Sequence, residues 1–161
     1  MLRTIDQTSI AQLMQLAQTS ARKRTILRLH EHEEPVQRMV NAMLPGTYIP
    51  PHKHENPDKV ELFSILLGRL AVVHLQDDGA VQQVVVLDAG GENRVVDIPP
   101  RTYHTLIPLQ PSAALEIIQG PYDAATHKQF APWAPAEDSP DAAAYLARLT
   151  AQVLALHGSA Q

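Results

Sequence analysis

The sequence predicts a mainly β protein, an antiparallel sandwich or barrel with a short N-terminal helix and a C-terminal helix. Three observations carry this. Between residues 25 and 119, short runs rich in Val, Ile and Leu are separated by turn residues. No helical period falls between those runs, so the strands are joined by turns and the sheet is antiparallel. Apolar residues at helical spacing lie outside that stretch, at residues 9–21 and after residue 139.

The first helix rests on Ile10, Leu13, Met14 and Ala17, an amphipathic stripe that packs on the domain. Ser9 is the expected N-cap, and Arg22, Lys23 and Arg24 suit a helix C-terminus. "VQRMVNAML" (residues 36–44) reads as a strand, with Gln37 and Asn41 on one face and Arg38 on the other. "ELFSILLGRLAVVHL" (residues 61–75) breaks into two strands at Gly68. Asp78-Gly79 separates two apolar runs, a strong hairpin signal. "RVVDI", "YHTLIPL" and "AALEIIQ" complete the set after Gly90-Gly91 and Pro99-Pro100. A proline-rich stretch from Pro121 to Pro140 reads as an extended strap along the surface, carrying Lys128, Phe130 and Trp133. The last helix is expected to begin at Ser139 (N-cap) and Pro140, with a stripe of Leu146, Leu149, Val153 and Leu156 and a stop at Gly158. The expected organisation is one domain in three sections, 1–24, 25–120 and 121–161.

Composition limits the function. The chain has 161 residues, 45% hydrophobic and 19% charged, which fits one globular domain and excludes a disordered one. Net charge is −4 and no basic stripe stands out, so no nucleic-acid partner is expected. No apolar run approaches the roughly 20 residues of a membrane span, and residues 1–18 lack a signal-peptide core. The expected location is the cytoplasm. Cysteine is absent, which excludes disulfides and thiolate chemistry.

The chemistry lies in "PGTYIPPHKHENPDKVELFSILLG" (residues 45–68) and "DIPPRTYHTL" (residues 97–106). His52 and His54 are two apart, so in a strand both imidazoles share a face. Glu61 opens the next strand, where the preceding loop can bring its carboxylate back. His104 lies on a later strand behind a proline turn. Neutral imidazoles and one carboxylate could then meet at one ion. A His-x-His pair alone is weak: His30-x-His32 is a second one, beside Glu33-Glu34-Pro35, and reads as a solvated bend. Counting by twos puts Tyr48 on the face of His52 and sets Glu61 with Phe63, Ile65 and Leu67, the barrel filling. His104 shares its face with Thr102 and Leu106. Tyr48 and Arg38 are the catalytic candidates. Gln37, Asn41 and Thr102 are the candidates for contacting a ligand, and an arginine would suit a carboxylate or phosphate.

This arrangement resembles the cupin superfamily. Gly46, His52, His54, Glu61 and Gly68 match its first motif, with two residues inserted between His54 and Glu61. Pro99 and His104 match its second motif, while Arg101 stands where glycine is usual, Asn93 at the first glycine and Pro108 at the asparagine. "RKRTILRLHEHEEPVQRMVNAMLPGTYIPPHKH" and "GPYDAATHKQFAPWAPAE" resemble the WbuC-type cupin metalloproteins. The resemblance implies a small cupin (jelly-roll) barrel and one divalent transition metal (Fe, Mn, Ni, Co, Zn or Cu) on His52, His54, Glu61 and His104. It also implies an association with bacterial polysaccharide biosynthesis.

Three functions fit this reading. One is an isomerase, epimerase or hydrolase acting on a sugar or sugar-nucleotide through a Lewis-acid metal. The others are an iron-dependent oxygenase and a non-catalytic metal- and ligand-binding module. The expected partner is a small molecule. A homodimer is compatible with the Leu146–Leu156 stripe and with the need to protect strand edges.

Overall fold

The computed structural model describes residues 2–158. Its first helix, α1 (Gln7–Thr19), is capped by Asp6 and not by Ser9. The Asp6 carboxylate accepts from Ser9 N and Ser9 Oγ, both at 2.8 Å. Asp6 stands three residues before Ser9, so it reaches a free amide of the first turn, and Ser9 lies inside the helix. The basic run Arg22–Arg24 is outside the helix, and Arg24 begins β1 (Arg24–Arg28).

The strands that follow are β2 (Val36–Met43), β3 (His52–Lys53), β4 (Glu61–Leu67), β5 (Arg69–Leu75), β6 (Val81–Asp88), β7 (Val95–Ile98), β8 (Tyr103–Pro108), β9 (Ser112–Gln119) and β10 (Gln129–Phe130). They form two antiparallel five-stranded sheets, ordered β1-β2-β9-β4-β7 and β10-β3-β8-β5-β6. This is the expected mainly β jelly-roll. Gly68 makes the sharp exchange from β4 to β5 with φ +75°, and a Cβ there would lie 2.0 Å from the Pro111 carbonyl oxygen. Gly79, at φ +88°, closes the β5–β6 hairpin.

Alternation sorts each strand between two cores. Met43, Phe63, Ile65, Leu70, Val72, Leu87, Ile98, Leu106 and Ala114 fill the space between the sheets. Each such large side chain contributes about 1.5–3 kcal/mol by leaving water. Leu67 does not join them and is 41% exposed, because a register shift after Ile65 breaks the period of two. Val40, Ala42 and Ala113 face outward and are covered by Leu13, Met14 and Ala17 of α1.

The outer face of the second sheet is covered by the strap and by α2 (Ala142–Gly158). Tyr103, Ile107, Ala131, Leu149 and Val153 are buried there, with Leu146 and Trp133 half-buried against them. Every residue of β8 is therefore buried. The helix starts two residues later than Ser139–Pro140 predict; Ser139 instead holds a turn, its Oγ accepting from Asp141 N at 3.2 Å. Leu156 is 52% exposed and drops out of the packed stripe. No helix among the described residues is long and apolar enough to cross a membrane.

Candidate metal centre

His52 opens β3 and pairs directly with His104 of β8, so both imidazoles enter the barrel side by side. Glu61 opens β4 on the facing sheet, in register with Ile98 and Ile118. His54 lies one residue beyond β3, where its carbonyl accepts from Arg101 N at 3.0 Å. Arg101 adopts φ 63°, the left-handed conformation for which glycine is usual at that motif position. The longer loop between His54 and Glu61 is taken up by a turn at residues 55–58. Its end is pinned by Lys59 Nζ donating to Pro121 O at 2.8 Å and by Val60 N donating to Gln119 Oε1 at 2.8 Å.

His52, His54, Glu61 and His104 are all buried, and one potential ligand atom from each lies within 4.8 Å of the others. Each imidazole has its Nδ1 on a backbone carbonyl: His52 on Pro50 O (2.9 Å), His54 on His127 O (2.6 Å) and His104 on Thr102 O (3.0 Å). A carbonyl only accepts, so Nδ1 carries the proton, and the neutral ring offers its Nε2 lone pair inward. This is the outer hydrogen bonding that orients metal-binding histidines.

Glu61 Oε2 is 2.8 Å from His104 Nε2 and 3.3 Å from His54 Nε2. The His104 approach is short but misdirected, and Nε2 there makes no hydrogen bond although it is buried. Burial alone would raise the Glu61 carboxyl; the adjoining His104 and His54 outweigh it and hold Glu61 well below the usual carboxylate range. Burial, with the Lys128 charge added, pushes His52 well below an ordinary histidine. The buried carboxylate therefore needs positive charge beside it. Either a proton on a neighbouring ring or one cation shared by all four groups supplies it. The donor set suits a single metal ion, with nitrogen and oxygen ligands of the kind first-row divalent metals take.

His52, Glu61 and His104 line a cavity of about 630 Å³. Gln37 and Asn41 also line it, on the inner face of β2. The Gln37 amide is engaged by the turn before it, donating to the carbonyls of Glu34 (2.8 Å) and His32 (3.2 Å). Asn41 donates to Glu116 Oε2 at 2.7 Å. Glu116 is 9% exposed; burial first, then the charge of Glu61, raises it to about 8. Sequence reasoning passed over Glu116, though an acid at an inward position of "AALEIIQ" is the signal for it. It also passed over His127, whose carbonyl holds His54 and whose ring burial lowers to about 3.

Three candidates lie elsewhere. Tyr48 faces a groove of about 1240 Å³ beside α2, and its hydroxyl donates to Pro135 O at 2.7 Å. Residues 44–51 are not a strand, so counting by twos back through Pro50-Pro51 has no basis. Arg38 points outward and pairs with Glu34, as its alternation with Gln37 and Asn41 requires. Thr102 does not line the cavity; it contributes through its backbone, by the carbonyl that holds His104. The His30–His32 segment is a bend, yet His30 is buried, with Nδ1 accepting from Arg38 N at 2.8 Å, and both rings line the cavity.

Residues 5–87 match a family described as Domain of unknown function (DUF6016). The chain belongs to the DUF6016 family. The matched stretch holds His52, His54 and Glu61; His104 falls outside it. No curated protein matches this DUF6016 chain. Among solved structures it is similar to an oxalate oxidase in complex with the substrate analogue glycolate, at 17% identity over 84% of this chain and 74% of that one, TM-score 0.53. It is also similar to an RmlC-like cupin protein from Desulfovibrio desulfuricans (22% identity, 60% and 81% covered, TM-score 0.46). A third likeness is to KdgF from Halomonas sp. (16%, 63% and 83%, TM-score 0.49). At these identities the likeness concerns the fold alone, a jelly-roll of two antiparallel sheets.

Proposed function

We infer that this DUF6016 protein holds one divalent transition metal on His52, His54, Glu61 and His104, and binds a small polar ligand beside it. The observation that supports this most is the set of three rings turned by backbone carbonyls so that their Nε2 atoms meet one buried carboxylate. A bound metal would supply Lewis acidity toward an oxygen of the ligand. The chain supplies the rest. Its carbonyls fix the rings, Asn41 and Glu116 give the wall polar character, and the cavity is of a size that holds a small molecule. The wording shared with WbuC-type cupins favours a sugar or sugar-nucleotide in polysaccharide-related metabolism as that ligand.

Elemental analysis of the purified protein is the test, followed by sugar-nucleotide binding and turnover with the metal found. About one metal per chain, lost in His52→Ala, is the expected result. Metal uptake unchanged in that variant would remove the centre. Oxygen consumption by the Fe(II)-loaded protein would replace the sugar reading with the oxygenase one.

A further inference from the structure

Four cationic side chains reach the wall of the cavity: Arg22, Arg24, Arg28 and Lys128. Arg22 and Arg24 share one carboxylate, Glu137, at 2.6 and 2.7 Å. Among the described residues, Arg28 and Lys128 pair with no carboxylate. Arg28 contacts the ring of His32. Lys128 is half-buried on the strap and lines the cavity, where its charge acts on His52, Glu116 and His127. Tyr122 lines the same cavity. Its ring centroid is 4.7 Å from that of His32 and 4.8 Å from that of His127, a flat wall for the body of a ligand.

Charge decides what fits. Even with Glu61 and Glu116 both ionised, a divalent ion with Lys128 and Arg28 leaves this wall positive. A half-buried ammonium without a counter-ion is costly and is relieved by an anionic partner. We propose that Lys128, with Arg28 at the rim, forms an oxyanion subsite facing the metal centre and takes the carboxylate or phosphate group of the small polar ligand. This rests on the ligand-binding reading of the cavity and adds its charge class.

Calorimetric titration of the metal-loaded protein with glucuronate, glucose 6-phosphate and glucose tests it. The anions should bind, and glucose should bind roughly tenfold more weakly or worse. Lys128→Ala should weaken both anions by about the same factor while metal per chain and circular dichroism stay unchanged, and Lys128→Arg should restore most of the loss. The tighter of the two anions assigns the group as carboxylate or phosphate. Equal affinity for glucose, affinity unchanged in Lys128→Ala, or no binding of either anion at millimolar concentration overturns the subsite. The same titrations after chelation separate the two ideas. One metal per chain with Lys128-independent binding removes the subsite and keeps the metal centre; Lys128-dependent binding in a chain that takes up no metal does the reverse.

Discussion

Glu116→Gln should stabilise the metal-free protein, and the gain should depend on pH. Glu116 sits inside the barrel at 9% exposure, and its carboxyl is raised from 4.5 to about 8. In the unfolded chain the same group ionises near its ordinary value. Between those two values the unfolded state has released a proton that the folded state retains. Folding stability therefore falls as pH rises, by about 1.4 kcal/mol per pH unit. At pH 7 the accumulated cost is about 3 kcal/mol. Glutamine keeps the protonated group's shape and its acceptor for Asn41 Nδ2, but has no proton to lose, so the variant escapes that cost.

Urea unfolding of chelator-treated protein, followed through Trp133 fluorescence and circular dichroism, measures this directly. Near pH 4.5 the variant and the parent should be about equally stable. The gap should open through pH 6 and 7 and level off above about 8. A constant gap from pH 5 to 8, or a destabilised variant throughout, would show that Glu116 is ionised in the folded barrel and that its surroundings compensate it.

Other substitutions test separate links. Glu61→Ala and His104→Ala should each reduce bound metal at least about tenfold, with far-UV circular dichroism retained, because neither residue belongs to the apolar core between the sheets; unfolding of either variant would make the ion structural. Gly68→Ala should cost more than about 1 kcal/mol in denaturant unfolding, since φ is +75° and the added carbon meets Pro111 O. Glu137→Ala removes the partner of Arg22 and Arg24 and should cost about 1 kcal/mol at neutral pH, allowing for solvent screening. Hydrogen bonding from Arg22, then the charges of Arg24 and Arg22, hold the Glu137 carboxyl below its ordinary value against the effect of burial. Its contribution is thus full above that ordinary value and is lost as pH falls through the depressed one, so the two proteins should converge in acid.

What the sequence made legible was local. Gly68, Asp78-Gly79 and the runs they separate place the strands of the central stretch because turn chemistry and a period of two act over a few residues. His52, His54, Glu61 and His104 could be brought together on paper because two share a short segment and the others open or enter neighbouring strands. The failures have equally local causes. Tyr48 was projected back from a strand that begins only after the two prolines. Leu67 was projected through a bulge, and Ser9 outranked Asp6 as a cap although both are cap formers. Glu116 was legible only as an inward acid and Lys128 only as part of a strap; that both meet His127 at the cavity follows from tertiary structure. They reach the cavity from β9 and from the strap, segments far from the histidine motif in sequence.

The strap shows why that non-local contribution matters chemically. Two of the three rings are held from within their own segments: Pro50 O and Thr102 O each lie two residues before the histidine they orient, the first in and the second shortly after a proline pair that restricts the backbone. His54 has no such arrangement. Its Nδ1 is held by His127 O, from the segment that then pairs with β3 through Gln129↔Lys53 and Phe130↔His52. The stretch that adds an edge strand to the second sheet thus also sets the third nitrogen and carries Lys128. Fixed backbone, supplied partly in sequence and partly across it, selects the tautomer in which each ring turns its lone pair toward the same carboxylate.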